Sequence, residues 1–236
     1  MPFIERDERG RLRINKKEVA YAIFKNYSHF LDRLNKNVLF HDMINRHSKN
    51  VTRFPNQYNA RYEIYNYIND NIIQNRSIDY LEFGVFKSDS IKHWASINSH
   101  RESRFFGFDT FEGLPEGYGN RPKGTFDAHG DVPEVDDERV TWEKGLFQDV
   151  LPIFLADFQP KSQVVIHIDT DLYSSTLYCL TSMNNMLKPG SILIFDEFGD
   201  LEQEFAAFYD YTRSYYRNWE LICAQHNLWL VAVQLQ

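Results

Sequence analysis

Short apolar runs alternate along the chain with segments whose apolar residues recur at helical spacing. Seven runs are predicted to be strands: 78–84, 105–108, 140–143, 164–168, 192–195, 221–224 and 228–233. Between them, helical spacing predicts helices over 91–97, 150–158, 172–187 and 202–216. Because parallel neighbours need a crossover connection, this alternation predicts a mostly parallel α/β sheet.

The two ends of the chain differ from this middle part. The last two strands are separated by only a few polar residues, so they should form an antiparallel hairpin. Residues 1–75 are predicted to be a helical extension, broken near Pro55, because apolar residues such as Ile64, Ile68 and Ile72 recur there at helical spacing. We therefore expect one domain, with a Rossmann-like, seven-stranded core over residues 76–236.

Composition excludes some partners. Hydrophobic residues make up 43% of the 236 residues, which is ample for one core, and the formal net charge is −7. A negative chain is a poor nucleic-acid binder, because phosphate neutralisation needs clustered basic residues. The basic residues near the start (Arg9, Arg11, Arg13, Lys16 and Lys17) are interpreted as a solvated tail or helix face.

Cysteine use and hydropathy bear on location. Cys179 and Cys223 lie among apolar residues and form no CxxC pair, as expected of a reduced, cytoplasmic protein. The polar start of the chain shows no secretory leader, and no apolar run approaches the roughly 20 residues of a membrane span. We expect no membrane partner.

The segment 167–173, His-Ile-Asp-Thr-Asp-Leu-Tyr, places two carboxylates at the end of a predicted strand. The next predicted strand ends in Asp196-Glu197, and Asp169 and Asp196 are 196 − 169 = 27 residues apart, about one helix and one strand. Open α/β sheets bind ligands at the carboxyl ends of their strands. Asp169, Asp171, Asp196 and Glu197 are therefore expected to converge at one edge.

These carboxylates suggest two roles. Asp169, Asp196 and Glu197 form a candidate site for Mg²⁺, which prefers oxygen ligands. Asp171 is the candidate general base, although it could instead cap the helix that follows. His167 lies in the strand, two residues before Asp169, and a packed, hydrogen-bonded histidine is preferred there over a catalytic one.

The first predicted core strand ends in a turn that could bind an amino-acid group. Gly84 would allow a close backbone approach, the following helix would offer free amides to a carboxylate, and Glu82 could pair with an ammonium group. The segment lacks GxGxxG, which weakens a dinucleotide-binding interpretation. By itself the pattern also fits an ordinary turn with a surface glutamate.

Other candidate ligand contacts follow the next two strands. Asp109 could bond the hydroxyls of a ribose or cap a helix. Phe111 could shield a ligand, at the start of a long loop over 110–138 that resembles a functional lid. Phe147 could lie on an adenine ring and Gln148 could bond its edge.

Together these segments resemble the TylF/MycF, or macrocin-type, family of O-methyltransferases. The resemblance rests on Leu-Glu-Phe-Gly-Val-Phe over 81–86, Phe-Asp-Thr-Phe-Glu-Gly-Leu-Pro over 108–115, the 167–173 segment with Ser175-Thr176, and Pro189-Gly190 before Phe-Asp-Glu-Phe over 195–198. It covers the chain from about residue 50 onward, with the motifs in the family's order and spacing.

The resemblance implies an enzyme with a class I methyltransferase fold. It would transfer a methyl group from S-adenosylmethionine to a hydroxyl, often on a sugar of a natural product. Asp171 would be the base, and Asp169, Asp196 and Glu197 would bind Mg²⁺. The donor would contact residues at or after four of the predicted strands: Glu82, Gly84, Phe86, Ser90, Asp109, Thr110, Phe111, Phe147, Gln148 and Asp169.

Two departures from the family pattern leave alternatives open. The family commonly ends the fifth strand in Asp-Asp, and the extra methylene of Glu197 would move that carboxylate outward. Residues 87–89, Lys-Ser-Asp, replace a more glycine-rich stretch. A metal-independent N- or C-methyltransferase therefore remains an alternative, as does a non-catalytic cofactor-binding scaffold. A nicotinamide dehydrogenase is disfavoured because the sequence lacks the GxGxxG motif.

The predicted function is methylation of a hydroxyl on a sugar or glycosylated small molecule. The aromatic-rich helical region also suggests a homo-oligomer, a dimer or larger.

Overall fold

The computed structural model describes residues 4–6 and 12–236. Residues 1–3 and 7–11 lie outside the described residues, and with them most of the polar N-terminal segment and Arg9 and Arg11 of the basic cluster. The chain divides into two compact units, Met1–Asp42 and Met43–Gln236.

The first unit contains strands as well as helices. Strands β1 (Ile4–Arg6) and β2 (Leu12–Ile14) pair antiparallel, and helix α1 (Lys16–Phe24) follows. The Asn15 side chain caps α1 by accepting hydrogen bonds from the backbone amides of Lys17 and Glu18. A 3₁₀ turn (Lys25–Tyr27) leads into the long helix α2 (Ser28–His47).

The second unit contains the sheet. Its helices are α3 (Ala60–Tyr67), α4 (Asp89–Ile97), α5 (Phe147–Asp157), α6 (Tyr173–Ser182) and α7 (Glu204–Ser214), and α3 continues as a π-helical segment (Ile68–Ile73). Its strands are β3 (Thr52–Phe54), β4 (Ile78–Phe83), β5 (Arg104–Asp109), β6 (Val140–Lys144), β7 (Gln163–Ile168), β8 (Ile192–Phe195), β9 (Trp219–Gln225) and β10 (Val231–Leu235).

These eight strands form one mixed sheet in the order β3-β9-β10-β8-β7-β4-β5-β6. Strand β10 pairs antiparallel with both β9 and β8, whereas the other pairings are parallel. The predicted α/β class, the mostly parallel sheet and the C-terminal antiparallel hairpin are therefore confirmed.

The region before residue 76, predicted as a helical extension, also contains three short strands. Strands β1 and β2 lie in the first unit, and β3 adds an eighth strand beside β9 in the second. Strand β3 is only three residues long, and its side chains are half-buried. It is too short to show a period of two, so its pairing depends on the edge that β9 offers.

The chain reverses direction within the sheet next to β4. It runs outward from β4 through β5 to β6, and then returns to β7 on the other side of β4. Right-handed crossovers in opposite directions place α4 on one face and α6 on the other. The carboxyl ends of β4 and β7 therefore flank a crevice of the kind that binds ligands in doubly wound sheets.

The core of the second unit is strongly aromatic. Tyr65, Tyr80 and Trp94 are completely buried, and the Trp94 ring centroid lies 5.5 Å from that of Tyr65 and 5.2 Å from that of Tyr80. Among the described residues, no helix combines the length and apolar character needed to cross a membrane.

Candidate active site

A cavity of about 360 Å³ opens at the carboxyl ends of the parallel strands, in the crevice between β4 and β7. The predicted site residues converge on it although they come from five separate strand exits. Those that line it are Glu82, Gly84, Phe86, Ser90, Asp109, Thr110, Phe147, Gln148, Asp169, Asp171, Asp196 and Glu197. The fold therefore brings together every residue proposed from the sequence except Phe111.

The turn after β4 requires a glycine for a reason the sequence did not show. Gly84 has a φ of +87°, and a Cβ atom there would lie 1.8 Å from the carbonyl oxygen of Asp169. The close neighbour is thus the backbone of the β7 exit, whereas a ligand had been expected. Gly84 allows the two strand exits to approach each other, which forms the floor of the cavity.

The Asp109 carboxylate holds the same turn in place. Its Oδ2 atom accepts hydrogen bonds from the amides of Val85 at 2.7 Å and Phe86 at 2.8 Å, and its Oδ1 atom accepts one from the Phe111 amide at 2.8 Å. Since a carboxylate oxygen has two lone-pair sites, Oδ1 retains one for a ligand hydroxyl. Asp109 therefore has a structural task besides its predicted contact with ribose.

Phe111 does not line the cavity. Its ring is completely buried and packs edge-on against Trp142, with 6.1 Å between ring centroids. The backbone turns at a φ of +57°, which takes the side chain into the core. The predicted shielding of the ligand by Phe111 is thus corrected to a core contact, and Phe86 and Phe126 are the aromatic residues at the cavity there.

The part of the cavity near β4 and α5 has mixed polarity. Glu82 is buried and accepts a hydrogen bond from the Tyr80 hydroxyl at 2.5 Å, and Ser90 lies in the first turn of α4. At the other end, Phe147 and Gln148 form the first turn of α5, and the Phe147 ring packs edge-on against Phe83. This part can accommodate a ligand with a charged end and an aromatic end.

Asp171 lines the cavity in an unusual backbone conformation. It is buried, and its φ is +59°, a left-handed conformation that aspartate tolerates better than most residues. Arg121, which the long loop contributes, forms an ion pair with Asp171 Oδ1 and lies 3.5 Å from Glu197 Oε1. The loop is therefore linked by charge to the carboxylates at the β7 and β8 exits.

A second arginine pairs with the deeper carboxylates. Arg61 of α3 donates a hydrogen bond to Asp196 Oδ2 at 2.7 Å.

Burial and the neighbouring Asp196 raise the pKa of Asp169 well above its usual range. Burial and the nearby Asp171 likewise raise the pKa of Glu197 to about 8.

The predicted cation ligands are only partly assembled. Asp169, Asp196 and His167 each present a potential ligand atom within 4.8 Å of the others, but Glu197 is not in this group. Among the described residues, no donor lies within hydrogen-bonding distance of the buried Asp196 Oδ1 atom. Two carboxylates, one with an unsatisfied oxygen, fit a hard cation. Glu197 would join them only after leaving Arg121.

His167 lies between two carboxylates, with Nδ1 3.5 Å from Glu82 Oε2 and Nε2 3.9 Å from Asp196 Oδ1. Burial alone lowers its pKa, but Asp196 and Glu82 together outweigh burial and raise the pKa of His167 to about 9. The sequence-based preference for a packed, hydrogen-bonded histidine agrees with its complete burial.

Glu204, at the start of α7, connects the two acidic strand exits. It is completely buried, and burial raises its pKa well above the usual range. Its Oε2 atom accepts a hydrogen bond from the Glu197 amide at 3.0 Å, and its Oε1 atom accepts one from the Thr170 amide at 3.4 Å. One side chain thereby spans the segments that contain Asp169, Asp171 and Asp196.

Sequence reasoning missed Arg61, Arg121 and Glu204. Each lies outside the strand exits, so no motif spacing indicates that it reaches the cavity. Tyr80 was detectable, because it lies two residues before Glu82 and therefore on the same face of β4.

The sheet order, the antiparallel β10 and the ligand crevice beside β4 define the class I methyltransferase fold. The O-methyltransferase NovP shares it at 23% sequence identity, with a TM-score of 0.59 over 74% of this chain and 78% of that one. The calicheamicin methyltransferase CalS11 does so at 19% identity, with the same TM-score and the same coverage. The predicted Rossmann-like methyltransferase fold is confirmed.

The family comparison is more specific. Residues 129–219 match the family model described as Macrocin-O-methyltransferase (TylF). This segment includes Asp169, Asp171, Asp196 and Glu197. The match confirms the resemblance drawn from the motifs and, with it, the enzyme class of O-methyltransferases. No curated protein sequence matches the chain.

Proposed function

We propose that the protein is an S-adenosylmethionine-dependent O-methyltransferase that acts on a hydroxyl of a sugar or glycosylated small molecule. The main support is a single arrangement: the buried Glu82, the helix start at Ser90 and the carboxylates Asp169 and Asp171 all face one cavity at the switch point of the sheet. The family match includes Asp169 and Asp171 of this arrangement, but it begins after Glu82 and Ser90.

The donor would lie along the carboxyl ends of β4, β5 and β6. S-adenosylmethionine, when bound, supplies an electrophilic methyl group on a sulfonium. Glu82 would bind the ammonium group, and the free amides at the start of α4 would bind the carboxylate. The remaining acceptor site of Asp109 would take one ribose hydroxyl. Phe147 and Gln148 would contact the adenine.

Asp171 is proposed to take the proton of the acceptor hydroxyl as the oxygen attacks the methyl carbon. It lines the cavity, and its carboxylate pairs with the Arg121 guanidinium. Arg121 would have to move away from Asp171 when the acceptor arrives, because Arg121 and the acceptor cannot occupy the same side of this carboxylate. Positioning of the two reactants would supply much of the rate enhancement.

Asp169 and Asp196 would hold Mg²⁺, with Glu197 as the third predicted ligand. When bound, this cation would lower the pKa of an acceptor hydroxyl. The unsatisfied Oδ1 atom of Asp196 supports the proposal.

A metal-independent methyltransferase is the second candidate, and one observation favours it. Arg61 and Arg121 already place two guanidinium groups on Asp196, Asp171 and Glu197. Fixed cations within the chain can balance clustered carboxylates as a divalent ion would.

The sugar acceptor is proposed by analogy. The family model is described as a macrocin O-methyltransferase, and one CalS11 structure, with a TM-score of 0.53, is described as a TDP-rhamnose 3′-O-methyltransferase.

The cytoplasmic location, the homo-oligomer and the single catalytic domain stay predictions.

Methyl transfer from methyl-labelled S-adenosylmethionine to a panel of glycosides and nucleotide sugars tests the function. We expect label on an acceptor oxygen, with activity lost in a chelator and restored by MgCl₂. Activity that is unchanged in the chelator would select the metal-independent candidate. Label on nitrogen or carbon alone would contradict an O-methyltransferase.

A further inference from the structure

His167 is a polar side chain in the middle of the hydrophobic sheet. It is completely buried in β7, directly beside Glu82 of β4 in the parallel register. A polar group placed there costs free energy unless its hydrogen bonds are satisfied. Its contacts therefore indicate what it contributes.

One ring nitrogen of His167, Nδ1, lies 3.5 Å from Glu82 Oε2, and Tyr80 makes the hydrogen-bonded link between them. The Tyr80 hydroxyl donates to Glu82 Oε2 at 2.5 Å, and the same hydroxyl lies 2.9 Å from His167 Nδ1. A hydroxyl has one hydrogen, so Tyr80 can donate to the carboxylate only if its oxygen accepts from Nδ1. The hydrogen bonds thus run in one direction, from His167 through Tyr80 to Glu82.

The other ring nitrogen faces the acidic end of the cavity. His167 Nε2 lies 3.3 Å from the Tyr65 hydroxyl and 3.9 Å from Asp196 Oδ1. That oxygen has no hydrogen-bond donor among the described residues, while Asp196 Oδ2 is fixed by Arg61. A small shift of either side chain would close the gap between His167 and Asp196.

We propose that His167 is a positioning residue that couples the methyl-donor pocket to the acceptor end of the site. Glu82, which would bind the ammonium of the donor, and Asp196, which would lie beside the acceptor, both face this buried ring, one at each nitrogen. Occupation of Glu82 would thereby orient Asp196 before the acceptor binds. This inference rests on the proposed function.

The test is a double-mutant cycle read by calorimetric titration with S-adenosylhomocysteine, the demethylated donor, so that no acceptor is needed. Tyr80→Phe removes one hydroxyl at constant shape, and we expect it to weaken binding about tenfold because Glu82 loses a charge-assisted hydrogen bond. Asp196→Asn should also weaken binding in the parent protein. In the Tyr80→Phe background it should change the dissociation constant less than about twofold, because coupled residues give non-additive effects.

A second variant and a matched control complete the cycle. His167→Asn should abolish the effect of Asp196→Asn as Tyr80→Phe does. Tyr211→Phe is the control: this tyrosine is equally buried, and its hydroxyl bonds Asn184 at 3.1 Å outside the cavity. Its cycle with Asp196→Asn should be additive.

The possible results distinguish a failure of the proposed function from a failure of the coupling role of His167. Wild-type protein that binds no S-adenosylhomocysteine would overturn the proposed function and this inference with it. Binding by the wild-type protein, with additive effects in both the Tyr80 and His167 cycles, would overturn the coupling role alone. Additive effects are also the result expected if His167 only stabilises the fold.

Discussion

At the level of single residues, the proposed base Asp171 differs from Asp169 in its backbone and in its partner. It has a left-handed φ, and its carboxylate pairs with Arg121. Left-handed conformations of residues other than glycine are sparse and concentrate at functional sites. The two aspartates, only two residues apart, thereby acquire different neighbours.

Asp171→Asn removes the proposed base with little change in shape. We expect it to retain S-adenosylhomocysteine binding and to lose turnover by about 10²–10⁴-fold, the usual contribution of a general base. Asp157→Asn, an exposed aspartate at the end of α5, is the control and should have wild-type turnover. Undiminished turnover of Asp171→Asn would remove Asp171 as the base.

Gly84→Ala tests the close approach of the two strand exits. An alanine Cβ would overlap the Asp169 carbonyl, whereas Gly190 has a similar φ of +93° with no heavy atom within 4 Å of the added Cβ. Both variants place an alanine at a positive φ and share the strain that this causes. We therefore expect Gly84→Ala to lose about 1–3 kcal/mol more stability than Gly190→Ala, because only the Gly84 site is also overpacked. Urea denaturation measures the difference, and equal losses would contradict the close approach.

The site could be predicted from sequence only where residues followed strands. Asp169, Asp196 and Glu82 were found because strand exits in an open sheet meet at one edge. Arg61 and Arg121 were not found, because a side chain that reaches the edge from a helix or loop has no sequence period. Phe111 was placed wrongly because one left-handed residue reversed its direction.

At the level of elements, α7 begins with the residue that aligns two loops. Glu204→Ala would leave two backbone amides without their acceptor, and we expect a loss of about 2–4 kcal/mol in stability. Glu204→Gln keeps one acceptor oxygen and should lose roughly half as much. Glu220→Gln, an exposed substitution in β9, is the control for both.

Chemical denaturation of the three variants provides the measurement. A loss for Glu204→Ala no larger than that of the Glu220 control would mean that the two loops are held by other contacts.

The long loop is predicted to depend on Arg121 for its order. Arg121→Ala removes the link to Asp171 and Glu197, so amide hydrogen exchange over residues 112–126 should accelerate. Lys123→Ala, an exposed change in the same loop, should leave exchange unchanged. Equal protection in both variants would show that the loop is held by its other contacts, such as the Ser174–Glu116 hydrogen bond.

Elements with a clear pattern of apolar residues were predicted well. Strand β8 was predicted over its observed range, Ile192–Phe195, because all four residues are buried and apolar. Helix α6 ends at Ser182, five residues earlier than predicted, although the apolar spacing continues to Leu187. Strand β3 was missed because pairing with a distant strand, rather than local pattern, decides the conformation of three residues.

At the level of the whole molecule, topology accounts for the site. The chain reverses at β4, which brings the exits of β4 and β7 together and places Glu82 and Gly84 in one cavity with the carboxylates of the β7 and β8 exits. Sequence alternation was sufficient to predict that sheet class. It was not sufficient to predict the two arginines that balance the acidic charge, because their positions depend on packing across the assembled sheet.

The central claim, that this cavity binds the methyl donor, is tested most directly by calorimetric titration of the wild-type protein with S-adenosylhomocysteine and, separately, with NAD. The account predicts saturable binding of S-adenosylhomocysteine at one site per chain and no measurable heat with NAD. Absence of S-adenosylhomocysteine binding, or tighter binding of NAD, would contradict it.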